Sequence, residues 1–143
     1  MKTKVLFVCI GNACRSQMAE AFARAYGADV LDASSAGVSP ASNIPDITRR
    51  VMMEKGISLD GQYPKDLLSA AAAGAGIVVN MSGVPLPGVP APAVRDWKVE
   101  DPIGKKDAVH ERVRDEIENL VMNLILELRR RPAGPPPPRR FTR

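Results

Sequence analysis

Two short runs constrain the fold more than anything else in the chain: KVLFVC at 4–9 and GIVVNMSG at 76–83 are apolar at successive positions rather than alternate ones. A strand with that pattern is buried on both faces, as the inner strands of parallel sheets are. DVLDASSAG at 29–37 and VRDWKV at 94–99 read as two further strands. Helix-period stretches separate them. One starts at Ser16, with Met18, Phe22, Ala25 and Tyr26 on one stripe and Gly27 as a left-handed cap. A second opens at Pro45, turns Ile47 and Val51 inward and stops at Gly56. PKDLLSAAAAG at 64–74 predicts a third. The last and clearest repeats Val109, Val113, Ile117, Leu120, Leu124 and Leu128 at spacings of three and four. Strands alternating with helices imply an α/β fold, a four-stranded parallel sheet with helices on both faces.

At 143 residues the chain is the length of one domain and can bury a core without staples. Residues 1–131 are expected to form that domain, and 132–143, GPPPPRRFTR with its preceding residues, a Pro/Arg-rich disordered tail. The formal charge of +4 is misleading. Six of the 20 basic residues are arginines from Arg129 onward, where no acid stands; the other 14 meet 16 acids. The body is therefore slightly acidic, and nucleic acid is not an expected partner. No run approaches eighteen apolar residues, which argues against a membrane span. Two cysteines without a framework pattern suggest a reducing compartment, so the expected location is the cytoplasm. No His/Cys/Asp cluster has metal-ligand spacing, and no metal or cofactor is expected.

Both cysteines fall in one loop, CIGNACRS at 9–16, between the first strand and the first helix. In open α/β sheets ligands bind beyond the carboxyl ends of strands, where a loop enters a helix. Gly11, Asn12 and Ala13 are small or turn-tolerant, so successive backbone N–H groups can curl around a tetrahedral anion. The helix that follows aims its unpaired N–H groups and positive dipole at the same point. The expected phosphate cradle runs Ile10, Gly11, Asn12, Ala13, Cys14, Arg15 and Ser16. Such surroundings lower a thiol from about 8.5 to roughly 3.5–7.5, which makes Cys9 a nucleophile. Arg15 can clamp two anion oxygens through its planar fork. An acid must protonate the leaving oxygen. Asp101, after the fourth strand and stiffened by Pro102, is the candidate, with Asp96 and Glu100 as neighbouring rivals. His110, the lone histidine, is expected on the surface, and Trp97 and the Met52–Met53 pair in the core or at its rim.

CIGNACRSQMAE, SSAG at 34–37, VVNM at 78–81 and DP at 101–102 together resemble the low-molecular-weight protein tyrosine phosphatases and their relatives, the thioredoxin-type arsenate reductases. The resemblance implies a flavodoxin-like three-layer sandwich. It implies Cys9 as nucleophile, Arg15 as clamp and Asp101 as general acid, with Asn12, Ser16 and Ser35 bracing the loop. It also implies that Cys14 can be a redox partner shielding Cys9, an alternative to simple space-filling.

The expected activity is a phosphatase acting on phosphotyrosine or similar aryl phosphate monoesters, of protein or small-molecule origin, through a cysteinyl-phosphate. The alternative is an arsenate reductase using an external thiol of glutathione or mycothiol type, since arsenate, phosphate and sulfate all suit such a loop. A non-catalytic anion-binding module is the third reading. Reductases with an internal relay need a cysteine where this chain has Ser82, and none follows. Against the phosphatase reading, DPIGKK and VSPASNIP offer no aromatic to flank a phosphotyrosine ring, and Gln62 stands where the resemblance implies a histidine.

Overall fold

A computed structural model describes residues 2–68, 74–86, 89 and 94–131. Its elements run β1 (Thr3–Cys9), α1 (Arg15–Gly27), β2 (Leu31–Gly37), α2 (Asp46–Met53), β3 (Ile77–Asn80), β4 (Val94–Asp96) and α3 (Asp107–Arg130). The four strands form one parallel sheet in the order β2-β1-β3-β4. The doubly apolar runs are the two central strands. Side chains alternate across a strand, so Val5, Phe7 and Cys9 of β1 join one cluster while Leu6 and Val8 join the other. In β3, Ile77 and Val79 face the first cluster and Val78 the second. β4, at the edge, is partly or fully exposed along its length.

The three helices among the described residues all contribute to the larger cluster, through Met18, Phe22, Val51, Met52, Val113, Ile117, Leu124 and Ile125 among others. The smaller cluster, on the opposite face, is joined by Leu67, Leu86 and Val89. The helix expected at 64–74 would lie there. Its residues 64–68 are not helical, and Asp66 instead bridges Gly37 at the end of β2; residues 69–73 lie outside the described residues. So does the tail at 132–143.

Several expectations need correction. Ala25 is exposed, and Ala19 and Ala23 take its place on the buried face of α1. Gly27 is the last helical residue and not a left-handed cap: a Cβ there would come 2.6 Å from Cγ1 of Ile125, so the glycine serves the close approach of α3. Gly56, by contrast, does stop α2 with a positive φ of 73°. Met52 is buried and Met53 is exposed. Trp97 is half-buried and packs on Phe7 with ring centroids 5.9 Å apart. His110 is buried rather than superficial, and its Nδ1 has no hydrogen-bond partner among the described residues.

Candidate active site

β1 delivers Cys9 to the carboxyl edge of the sheet, and the chain turns at once through residues 10–14 into α1. The carbonyls of Cys9, Ile10 and Gly11 face away, accepting from the N–H groups of Val38, Ser39 and Ala41 at 2.8–3.1 Å. No backbone N–H from Gly11 to Cys14 donates to another group among the described residues. The start of α1 also carries no side-chain cap and no acid in its first turn. A set of unspent donors plus the helix dipole favours an anion at this point.

Asn12 makes the turn possible. Its backbone sits at φ 49°, a left-handed conformation that asparagine tolerates better than most residues. Its Nδ2 donates to Ser16 Oγ at 2.7 Å, and its Oδ1 accepts from the backbone N–H of Lys65 at 2.8 Å. Gly37 is required opposite: a Cβ there would lie 2.8 Å from the Ile10 carbonyl oxygen and 2.9 Å from the Asn12 nitrogen. Ser16 Oγ lies 2.9 Å from Cys9 Sγ. Since it already accepts a hydrogen bond from Asn12, its own hydroxyl hydrogen is free to point at the sulfur. Ser35 does something different from what the resemblance implies. It is buried, and its hydroxyl donates to Glu20 on α1 at 2.5 Å rather than to the loop. Arg24 neutralises the same buried carboxylate at 2.5 Å.

Arg15 is buried, and its guanidinium is divided in use. Nη1 donates to the carbonyls of Met81, 2.5 Å, and Val99, 3.0 Å, just beyond β3 and β4. Nε and Nη2 keep the remaining hydrogens of the fork. Nη2 lies 3.6 Å from Asp101 Oδ2. Asp101 is half-exposed, at 47% of its side-chain surface. Cys9, Ile10, Gly11, Ala13, Cys14, Arg15 and Asp101 line one pocket of about 230 Å³, together with Ala41 and Ile103. Neither rival acid lines it. Glu100 is tied to Lys105 and Arg112, whose hydrogen bonds pull its carboxyl down to about 2. Asp96 instead borders a separate groove of about 800 Å³ beside Arg15, Met81, Trp97 and Lys98.

Cys14 shares the pocket but not the chemistry of Cys9. Its Sγ lies 2.9 Å from Thr48 Oγ1 on α2, and burial pushes its thiol up to about 11. Gln17 has no role legible in the pattern, yet it is buried and holds the loop from behind. Its Nε2 donates to the Asn12 carbonyl at 2.9 Å and the Tyr63 carbonyl at 3.0 Å. Gln62 in turn donates to Gln17 Oε1 at 2.7 Å, so the residue in the histidine's place still braces the loop, through an amide pair. The signal for Gln17 was a polar side chain at a position flanked by buried ones. Ser82 closes a turn with Asn80 Oδ1 at 2.6 Å and the Val84 carbonyl at 3.1 Å.

A parallel sheet that presents a cysteine, an arginine and an oxyanion cradle at one edge defines a class of enzyme built for tetrahedral anions. The chain belongs to the low molecular weight phosphotyrosine protein phosphatase family, whose model matches residues 4–87. Among curated relatives, the glutaredoxin arsenate reductase of Synechocystis is 34% identical over 129 residues, covering 87% of this chain and 98% of its own. A solved arsenate reductase in its phosphate-binding state superposes with a TM-score of 0.83 at 36% identity, over 90% of this chain and 99% of the other. The YwlE arginine phosphatase of Geobacillus stearothermophilus does so at 0.71 and 25% identity, over 89% and 93%. The family thus joins reductases and phosphatases on one scaffold.

Proposed function

We propose that this enzyme hydrolyses phosphate monoesters through a cysteinyl-phosphate. One observation carries the reading: Cys9, Arg15 and Asp101 line a single small pocket, so a nucleophile, an anion clamp and an acid are within reach of one phosphoryl group. The Cys9 thiolate attacks phosphorus in line while the bond to the leaving oxygen breaks. The loop N–H groups and the free edge of Arg15 meet the charge on the equatorial oxygens. Asp101 gives its proton to the departing oxygen, then takes one from the water that clears phosphate from sulfur. Hydrolysis needs one thiol, and Cys9, which shares the pocket with Arg15 and Asp101, is the one that would supply it. Ala41 and Ile103 add aliphatic side chains to the lining of that pocket.

External-thiol arsenate reduction is the second reading, favoured by the names of the relatives at 34–36% identity. Cys9 would attack arsenate with loss of water. One external thiol would release arsenite and leave a mixed disulfide on Cys9, and a second would reduce it, giving the external disulfide. An internal relay has no third cysteine to use. Oxyanions of this shape are the common ligand of both schemes.

The two are separated by assaying aryl phosphate hydrolysis and arsenate reduction side by side, the latter with glutathione, mycothiol or dithiothreitol. Hydrolysis by the wild type and at least about a thousandfold less by Cys9→Ser is the expected result. Equal hydrolysis by both proteins overturns the phosphatase reading. Arsenite production with any donor supports the second.

A further inference from the structure

The acid itself is poorly anchored. Asp101 is half-exposed, and among the described residues its side chain makes one hydrogen bond besides its 3.6 Å approach to Arg15, accepting from the Ile103 N–H at 3.1 Å. That bond is local and cannot fix the loop against the pocket. The residues on either side of Asp101 do more. The Val99 carbonyl takes a hydrogen from Arg15, which ties the incoming chain to the anion clamp. Beyond Asp101, Pro102 is buried, Lys105 N–H donates to the Pro102 carbonyl at 2.9 Å, and Gly104 takes φ 75° to complete the turn. Glu100 spans this turn. One carboxylate oxygen accepts from Lys105 Nζ at 2.6 Å, and the other from Arg112 Nη2 on α3 at 2.8 Å.

We propose that Glu100 is the positioning residue of the acid loop: its carboxylate, shared between Lys105 and Arg112, locks the 101–105 turn to α3 and so holds Asp101 at the Cys9 pocket. Glu100 touches no reacting atom; it acts through Asp101. Ion pairs this exposed contribute little to global stability. Orientation is more demanding than stability, since small displacements of a catalytic group cost large factors in rate. The inference rests on the reading of Asp101 as the acid, and the experiment separates the two.

The test is kcat/KM for a series of aryl phosphates of rising leaving-group pKa, with wild type, Glu100→Ala, Glu100→Gln and Asp101→Asn. A good leaving group such as 2,4-dinitrophenolate departs without a proton, whereas phenolate needs one. Glu100→Ala should lose roughly three- to tenfold on phenyl phosphate, a fraction of the about 10²–10⁴ that a positioned acid supplies, and less than about twofold on the dinitrophenyl ester. Glu100→Gln, which keeps one hydrogen-bond acceptor, should fall between. High salt should steepen the leaving-group dependence of the wild type and leave that of Glu100→Ala unchanged. Thermal melting separates a lost fold from a displaced acid. Equal losses on all esters, or a Glu100→Ala slope identical to wild type, overturn the proposal. Asp101→Asn with no steeper slope than wild type overturns the acid assignment itself, and this role of Glu100 with it.

Discussion

Cys14 stands four residues past the start of the cradle, yet its surroundings oppose those expected of a reactive thiol. Burial outweighs the hydrogen bond from Thr48, and the charges of Cys9 and Asp101 add to the rise, so its ordinary value of 9.0 becomes about 11. At pH 7 only about one molecule in ten thousand then carries the thiolate there, the form that reacts. Iodoacetamide at pH 7 should therefore label one cysteine in the wild type and essentially none in Cys9→Ser, read by intact mass. Rapid labelling of Cys9→Ser would refute the assignment. Between about 9 and 11 the unfolded chain has lost the Cys14 proton and the folded chain has kept it, so stability falls as pH rises through that window. A Cys14→Ala variant should lack that part of the alkaline decline. Cys9 and Arg15 were legible in the sequence because strand, loop and helix follow one another without a gap. Thr48, and the Met81 and Val99 carbonyls that hold Arg15, were not: they lie 34, 66 and 84 residues from their partners. Nothing local in the chain announces such pairings.

The packing of α1 against α3 turns on one missing side chain. A Cβ on Gly27 would stand 2.6 Å from Ile125 Cγ1 and 2.7 Å from its Cδ1. Two effects compete in Gly27→Ala. Alanine gains about 0.5–1 kcal/mol over glycine in a helix, while overpacking costs about 1–3 kcal/mol. The clash should win in the wild type, giving a net loss measurable by urea unfolding. In an Ile125→Ala background the obstacle is gone, and Gly27→Ala should become neutral or slightly stabilising. A Gly27→Ala effect of equal size in both backgrounds would show that the two residues are not coupled. The heptad-like pattern gave α3 its span and half of its buried residues, Val113, Ile117, Leu124 and Leu128, but it missed Val121 and Ile125. It did not separate Gly27 as a contact from Gly27 as a cap, because either role asks for the same residue at the end of the same helix. His110 misled for a related reason: its charged sequence neighbours point outward, and the side chain itself turns inward.

The sheet as a whole gathers the site from distant segments. With order β2-β1-β3-β4, the carboxyl ends of β1, β3 and β4 lie side by side, and the chain beyond each contributes: Cys9 at the end of β1, the Met81 carbonyl after β3, and Val99 with Asp101 after β4. The strand runs made this edge foreseeable, whereas the short β4 and the loop leading to it carried too little pattern to place Asp101 above its rivals. An anion in the cradle should accordingly stabilise the whole fold and not just one loop. Phosphate at about 100 times its dissociation constant contributes about 2.7 kcal/mol to the folded state, or roughly 5–10 °C in melting temperature for a domain of this size. Arsenate and sulfate should do the same. Cys9→Ala should retain the shift, because the N–H groups and Arg15, and not the sulfur, hold the anion. Arg15→Ala should melt lower even without anion, since Met81 and Val99 lose their donor, and the anion-dependent shift should fall to near zero. Arg15→Lys should recover charge without the fork, and so only part of the shift. A full shift in Arg15→Ala would place the bound anion elsewhere on the molecule and remove the clamp from the mechanism.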